Sequence, residues 1–191
     1  MEEAFKQEQG DCLKIVLFGP ESSGKTTLAR ELAEQFETHW VPEYMRTYLE
    51  ANWEEDGLKI TKKDLLPIAK GQIASENLLT KTANRFLFCD TNLLEIRVYS
   101  EYYYNGFCPP EIIEATESHI YDHYFLTQVD IPWEADNLRD RPYDREKLFR
   151  IFESELLKRN LPFTLLEGTK NERLSKATEV LATLKKQPNA N

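Results

Sequence analysis

Residues 19–27 read Gly19-Pro20-Glu21-Ser22-Ser23-Gly24-Lys25-Thr26-Thr27, which fits the phosphate-binding pattern G-x-x-x-x-G-K-[ST]. The glycines let the backbone wrap closely around a polyphosphate, with successive N–H groups pointing inward as an anion-binding nest. In such a loop Lys25 reaches the β- and γ-phosphates and the Thr26 hydroxyl ligates Mg²⁺. Residues 13–18 are mostly apolar, as in a buried parallel strand, and apolar residues recur at helical spacing behind the loop. The stretch therefore predicts a strand, a phosphate-binding loop (P-loop) and a helix.

Composition and charge exclude some classes of protein. The 191 residues carry a formal net charge of −9, which argues against a nucleic-acid binder with a basic face. The three cysteines, Cys12, Cys89 and Cys108, show no C-x-x-C spacing, which predicts a reducing compartment and no structural zinc. The N-terminus has no apolar core of a signal peptide, and no run of 18 apolar residues occurs. We therefore expect a cytoplasmic protein without a membrane partner.

The rest of the chain alternates short apolar segments with helical patterns, which predicts an α/β fold with a parallel sheet covered on both faces. Further strands are predicted at 39–43, 85–90, 121–128 and 162–166. Helices are predicted after Tyr44, from Asp64 towards Asn84, from Leu93 to Tyr104, after Pro110, after Asp144, and from Asn171 to Leu184. The expected organisation is a flexible lead-in over residues 1–11, one domain over 12–184 and a tail over 185–191.

Two carboxylates follow predicted strands at the edge where ligands bind in open α/β sheets. Asp90 ends an apolar strand, a Walker B pattern whose carboxylate holds Mg²⁺; the alternative is an Asp that caps the helix starting near Asn92. Glu43 could take a proton from an acceptor hydroxyl or anchor its hydroxyl groups. The alternative for Glu43 is a solvated glutamate favoured by a helix N-terminus.

The residues around Asp90 favour phosphoryl transfer over hydrolysis. Thr91 follows it, where many P-loop ATPases that activate water carry glutamate, and the D-x-x-G of GTPases is absent. A run resembling the guanine-reading T-K-x-D, residues 61–64, precedes the third strand rather than a late one, so we interpret it as a helix start.

A polar segment over about residues 130–143 is predicted to form a mobile lid. Arg139 and Arg141 lie in it, and arginines in such lids stabilise transferring negative charge and help exclude water. The alternative is a surface loop with local Asp–Arg pairs. Candidates for stacking on a base are aromatic residues that could equally belong to the core: Trp40, Tyr44, Trp53 and Trp133. His119 and His123 stand four residues apart without an evident third metal ligand.

Four motifs together resemble the ribosylnicotinamide kinase domain of NadR-like proteins. They are the P-loop with its Glu-Ser-Ser filling, Trp40-Val41-Pro42-Glu43-Tyr44-Met45-Arg46, Phe88-Cys89-Asp90-Thr91-Asn92, and the stretch from Asp130 to Arg139 that reads D-I-P-W-E-A-D-N-L-R. The likeness runs from about Leu13 to Leu174, nearly the whole predicted domain. The P-loop alone is shared by many functions, whereas the other three motifs are more specific.

The resemblance implies the nucleoside-monophosphate-kinase type of P-loop fold, with strand order 2-3-1-4-5 and a lid. It implies transfer of the ATP γ-phosphate, with Mg²⁺, to the 5′-hydroxyl of nicotinamide riboside. The implied catalytic residues are Lys25, Glu43, Asp90 and Arg139, with Thr26 and Asp90 at the metal. The implied ATP site comprises Gly19, Glu21, Ser22, Ser23, Gly24, Lys25, Thr26, Thr27, Arg139 and Arg141, and the acceptor site Glu43, Tyr44, Arg46, Asp90, Asn92 and Trp133.

Two departures from the family pattern affect these expectations. The family commonly has D-T-D after the third strand, and here the third residue is Asn92, so a second carboxylate role is not expected there. Multidomain relatives carry an adenylyltransferase domain, and some a DNA-binding domain, upstream. Only about a dozen residues precede the first predicted strand here, so we expect neither activity from this chain. Two alternatives stay open: a kinase for another nucleoside or nucleotide, and a P-loop ATPase or nucleotide-dependent switch.

Overall fold

The computed structural model describes residues 3–51, 60–133 and 143–185. After a short 3₁₀ turn at Glu3–Phe5, strands and helices alternate. The strands are β1 (Leu13–Phe18), β2 (His39–Val41), β3 (Phe86–Asp90), β4 (His123–Thr127) and β5 (Phe163–Leu166). The helices are α1 (Lys25–Gln35), α2 (Tyr44–Ala51), α3 (Leu65–Thr80), α4 (Leu93–Tyr103), α5 (Pro110–Ser118), α6 (Arg145–Lys158) and α7 (Lys170–Thr183).

The five strands form one parallel sheet in the order β2-β3-β1-β4-β5. This confirms the predicted fold class and strand order. Every strand pair is parallel because a helix lies between each strand and the next along the chain. The register sets Leu17 of β1 beside Asp90 of β3. The carboxyl end of β3 therefore lies next to the start of the P-loop.

The apolar core fills both faces of the sheet, as a doubly covered parallel sheet requires. All six residues of β1 are buried and alternate between the two faces. Val16 and Phe18 pack with α4 and α6 in one cluster, whereas Ile15 and Leu17 pack with α1 and α7 in the other. A third cluster joins the N-terminal segment to α3, α4 and α5.

The N-terminal segment, expected to be a flexible lead-in, contacts the domain through Phe5 and Gln7, while most of its other residues are exposed. Phe5 is fully buried, and its carbonyl oxygen bonds the His119 ring at 2.7 Å. The Gln7 amide donates to Glu76, a buried carboxylate that also forms an ion pair with Lys14 at 2.8 Å. Because the segment is mostly polar, its sequence did not indicate that Phe5 is buried or that Gln7 bonds a buried charged residue.

Several predicted element ends are also wrong by a few residues. Helix α3 ends at Thr80 rather than near Asn84, where the chain turns back with Ala83 N–H donating to the Leu79 carbonyl. Strand β4 begins at His123 rather than Tyr121. Asp64 precedes α3 as predicted, and its carboxylate accepts bonds from the N–H and hydroxyl of Thr61. No helix within the three described ranges is long and apolar enough to cross a membrane.

Helix α2 packs closely on α3 because α3 carries Gly71. A Cβ atom on Gly71 would lie only 1.9 Å from the Tyr44 ring, so the ring occupies the space of a side chain. The Tyr44 N–H also donates to the Gln72 side chain at 2.8 Å. These two contacts fix the first residue of α2, which directly follows Glu43.

We predict that Gly71→Ala lowers the free energy of unfolding by about 1–3 kcal/mol, because the added methyl group displaces the Tyr44 ring. Denaturant titration measures the effect. Leu78→Ala is the control, since Leu78 lies on the same helix with 67% of its surface exposed, and we expect a change within about 0.5 kcal/mol. Equal stability of Gly71→Ala and the unaltered protein would contradict the described packing.

Candidate active site

The P-loop links β1 to α1 and contains three residues with a positive φ, two of which are Ser22 at 55° and Gly24 at 87°. Gly19 has φ 140°, and a Cβ there would lie 2.8 Å from the Thr127 hydroxyl oxygen of β4. A side chain at Gly19 would therefore meet the neighbouring strand as well as an unfavourable backbone conformation. These constraints explain why glycine is needed on both sides of the loop.

Two buried arginines bind the backbone of the loop. Arg173 of α7 donates from Nη1 to the Ser23 carbonyl at 2.7 Å, and Arg145 of α6 donates from Nη2 to the Ser22 carbonyl at 2.8 Å. Arg173 also donates to the Gln128 and Gly168 carbonyls and pairs with the Asp130 carboxylate. The P-loop is thus tied to the ends of β4 and β5, which positions its N–H groups in advance of any phosphate.

Neither arginine could be predicted at the P-loop from the sequence. Arg173 and Arg145 lie 150 and 123 residues along the chain from the carbonyls they bind, so no local pattern indicates the contact. A side-chain bond adds a further support: the hydroxyls of Ser23 and Thr127 lie 2.6 Å apart. Ser23, predicted at the ATP site, is 1% exposed and supports the loop from within.

The Lys25 ammonium lies inside the loop. It donates to the Gly19 carbonyl at 2.7 Å and the Pro20 carbonyl at 2.9 Å, and it lies 3.2 Å from the Oε1 atom of Glu95. Glu95 lies in the first turn of α4 and is 1% exposed. The sequence analysis did not single out Glu95, because its pattern within α4 is that of an ordinary helical residue.

Thr26 and Asp90, the two predicted metal ligands, are in direct contact. The Thr26 hydroxyl donates to the Asp90 carboxylate at 2.6 Å, and Asp90 is 2% exposed. Hydroxyl and carboxylate oxygens are the donors that Mg²⁺ favours, so this pair fits the ion. Within the described ranges no three Asp, Glu, His or Cys side chains form a metal cage, so a bound Mg²⁺ would complete its shell with phosphate oxygens and water.

Three carboxyl groups lie close enough around the loop to influence one another. Burial raises the pKa of Asp90, and the Lys25 ammonium and the Thr26 bond only partly oppose this. Burial and the negative charge of Asp90 raise the pKa of Glu43. Burial raises the pKa of Glu95 to about 8; the Lys25 ammonium opposes this only in part, while the negative charges of Glu43 and Asp90 add to it. Several neighbouring carboxyl groups with raised pKa values are typical of functional sites.

Glu43 and Arg46 form the part of the site contributed by the β2–α2 segment. The Arg46 Nε lies 3.5 Å from the Glu43 carboxylate, and both side chains are partly exposed. Gln72 of α3 holds this segment against the end of β3, since its side chain accepts from Tyr44 N–H and donates to the carbonyls of Pro42 and Thr91. Gln72 lies in α3, the helix that precedes β3, and no sequence motif indicated this role.

Asn92 has a structural position in the described site. It is fully buried, its side chain caps α4 by accepting from Glu95 N–H at 3.1 Å, and its amide donates to the Tyr124 hydroxyl at 3.2 Å. The helix-capping alternative considered for Asp90 thus falls on Asn92 instead. The described contacts give no support to an acceptor-binding role for Asn92, because they occupy its side-chain groups.

The structure describes some of the remaining candidate aromatic, histidine and lid residues. The Arg145 guanidinium lies 5.8 Å from the centre of the Trp133 ring, whereas Trp40 packs against the core cluster shared by α1 and α7. His119 is bonded to the N-terminal segment, and the His123 ring lies 2.9 Å from the Thr164 hydroxyl. Arg139, Arg141 and most of the predicted lid, with Trp53, lie outside the described residues, so their roles stay predictions.

The fold and the site together define a P-loop nucleotide-binding domain of the nucleoside-monophosphate-kinase type. A family model described as "AAA domain" matches residues 14–173. The chain belongs to this family.

Two curated relatives are similar over most of the chain. The trifunctional NAD biosynthesis/regulator protein NadR of Escherichia coli K12 is 28% identical over 155 residues, which cover 80% of this chain and 38% of that protein. Its namesake in Salmonella typhimurium LT2 is 31% identical over 148 residues, covering 76% and 36%. The chain thus spans less than two-fifths of the length of these relatives.

Solved structures agree with the fold. The crystal structure of NadR protein in complex with NR superposes with a TM-score of 0.68 at 20% identity, covering 95% of this chain and 54% of that one. Thymidylate kinase from Ehrlichia chaffeensis gives a TM-score of 0.61 at 16% identity, covering 89% of this chain and 98% of that one. At these identities the likeness establishes the shared fold.

The raised pKa of Glu95 predicts a pH-dependent stability. Because the pKa rises from an ordinary 4.5 to about 8, the folded protein holds a proton that the unfolded chain releases. This contribution to stability is complete below pH 4.5 and is lost as the pH rises towards 8. Glu95→Gln removes the titration, so the variant does not lose this contribution as the pH rises. The melting temperature of the variant should therefore rise relative to that of the unaltered protein between pH 4.5 and 8.

Thermal melts without nucleotide across pH 5 to 8.5 measure that difference. Glu101→Gln on the same helix is the control, since Glu101 is paired with Arg97 on the outer surface and has 35% of its side chain exposed. Parallel curves for Glu95→Gln and the unaltered protein would contradict a buried, titrating Glu95.

Proposed function

We propose that this chain is a nicotinamide riboside kinase, which transfers the γ-phosphate of ATP to the 5′-hydroxyl of the riboside and gives nicotinamide mononucleotide. The observation that carries the proposal is the juxtaposition of a P-loop, a Thr26–Asp90 pair and Glu43 at one edge of the sheet. The similarity to NadR proteins over most of the chain supports nicotinamide riboside as the acceptor.

The donor side of the site binds and positions the phosphates. The loop N–H groups surround the β-phosphate, while Lys25 contacts the β- and γ-phosphates. Thr26 and Asp90 would hold Mg²⁺, which when bound neutralises charge on the transferring phosphoryl group. Arg145 and Arg173 keep the loop in shape from behind and do not themselves contact phosphate in this proposal.

The acceptor side orients the hydroxyl for in-line attack. Glu43 lies after β2, where its carboxylate can accept the proton of the 5′-hydroxyl as the bond to phosphorus forms. A raised pKa makes it a better proton acceptor than a solvated glutamate, and Arg46 beside it keeps the ionised form accessible. Because phosphoryl transfer depends mainly on positioning, the Gln72 contacts that fix this segment serve the same purpose.

The predicted lid begins next to a residue that follows it in the chain. Ile131 and Trp133, near the start of the predicted lid, contact Arg145, which comes after its end. Arg139 and Arg141, placed between these two ends in the sequence, would bring positive charge to the phosphates when the segment covers the site.

Substrate choice tests the proposal. We expect ADP formation from MgATP to require nicotinamide riboside, in a panel that also contains uridine, thymidine, adenosine and their monophosphates. A different preferred acceptor would retain the kinase chemistry and reject the named substrate. ADP formation at the same rate without any acceptor would reject the kinase and support a nucleotide-dependent switch.

Lys25→Ala should abolish transfer, because the variant loses the only side chain of the P-loop that carries positive charge to the β- and γ-phosphates. Steady-state kinetics with nicotinamide riboside measure the loss. A near-normal kcat would reject the P-loop as the site of ATP chemistry.

Glu43→Gln should lower kcat by about 100-fold or more if Glu43 takes the proton, because the amide keeps the shape but cannot accept a proton. Glu50→Gln, an exposed glutamate on the neighbouring helix α2, is the matched control and should leave kcat unchanged. An effect confined to the KM of the acceptor would instead make Glu43 a binding residue.

A further inference from the structure

Helix α4 contacts the P-loop through two residues one turn apart on the same face. The carboxylate of Glu95 meets the Lys25 ammonium, and the Tyr99 hydroxyl accepts a hydrogen bond from Glu21 N–H at 2.8 Å. The start of the helix is fixed by the Asn92 cap, which binds Glu95 N–H itself. The position of Glu95 is therefore set by Asn92, which follows the end of β3 two residues after Asp90.

Glu95 occupies an environment that is costly for a carboxyl group. It is 1% exposed, and within the described ranges its Oε2 atom has no hydrogen-bond partner. An incompletely satisfied buried carboxyl group destabilises the fold, and such local costs concentrate at functional sites. Its Oε1 atom, in contrast, lies 3.2 Å from Lys25 Nζ.

We infer that Glu95 is a positioning residue for Lys25: its Oε1 atom accepts a hydrogen bond that fixes where the ammonium lies relative to the phosphates. The inference rests on the proposed phosphoryl transfer. Lys25 is a flexible side chain on a four-carbon stem, and only carbonyls of its own loop restrain it otherwise among the described contacts. An acceptor on α4 restrains the ammonium from an element outside the P-loop.

The role predicted for Glu95 is that of a hydrogen-bond acceptor, which allows a sharp choice of variants. Glu95→Gln keeps an acceptor oxygen on a side chain of the same shape. Glu95→Met keeps a similar length and removes the acceptor. Glu101→Met makes the same change on the same helix, at a residue paired with Arg97 away from the P-loop.

Kinetics with MgATP and nicotinamide riboside, together with direct titration of MgATP binding, separate positioning from structure. We expect Glu95→Met to lower kcat about 10- to 100-fold while the MgATP dissociation constant changes less than about threefold, because a misplaced group costs more in the transition state than in binding. Glu95→Gln should stay within about threefold of the unaltered protein in both quantities. Glu101→Met should resemble the unaltered protein.

Three outcomes would overturn the inference. One is a kcat for Glu95→Met equal to that of Glu101→Met. Another is a kcat for Glu95→Gln as low as that of Glu95→Met. The third is a parallel loss of MgATP binding and kcat in Glu95→Met, which would indicate a collapsed loop rather than a misplaced ammonium.

A second measurement tests the contact without enzyme activity, so that failure of the proposed function leaves it intact. The effect of Glu95→Met on the melting temperature is measured twice, in the unaltered protein and in the Lys25→Met variant. The change should be more positive in the Lys25→Met variant by at least about 2 °C. The reason is that Lys25→Met leaves the carboxyl group without its partner, and the second substitution relieves this. Additive melting temperatures would show that the two side chains do not interact and would overturn the inference.

Discussion

The conformation of the phosphate-binding loop depends on where its backbone carbonyl groups bond. N–H groups that point towards a ligand leave the carbonyls facing other parts of the protein, and buried carbonyls need donors. Lys25 supplies a donor to Gly19 and Pro20, Arg145 to Ser22, and Arg173 to Ser23. Three cations from three helices thus hold the loop, and these contacts make the nest a pre-organised anion site.

The same contacts connect the two halves of the sheet. Arg173 bonds the P-loop to the ends of β4 and β5, while Gln72 joins the end of β2 to the end of β3. Between them, Asp90 touches Thr26 at the start of α1. A phosphate donor and an acceptor hydroxyl brought to this edge would meet groups that are already fixed, which is the arrangement that phosphoryl transfer requires.

The sequence was sufficient for the parts of this arrangement that are local. The strand, loop and helix around Lys25, the apolar strand before Asp90 and the strand order implied by the family resemblance all agree with the structure. Periodicity and glycine placement encode such features within a few residues. The position of Asn92 at a helix start was also visible, although its capping role became clear only from its contacts.

The missing parts are contacts between residues distant in sequence. Arg145 and Arg173 appear as ordinary charged positions in amphipathic helices, and Glu95 as a helical glutamate, until the fold brings them to the loop. The contacts of the N-terminal segment are of the same kind, since its polar residues give no sign that Gln7 bonds a buried glutamate. Helices and strands can be predicted from the regular spacing of their apolar residues, whereas polar contacts between distant residues follow no such spacing.

The most direct test of the central claim, transfer of phosphate to a nucleoside rather than to water, is phosphorus NMR of a reaction containing the protein, MgATP and nicotinamide riboside. The account predicts that the γ-phosphate signal of ATP decreases while a phosphomonoester signal of nicotinamide mononucleotide grows in equal amount with ADP. Growth of an inorganic phosphate signal in place of the phosphomonoester would contradict it.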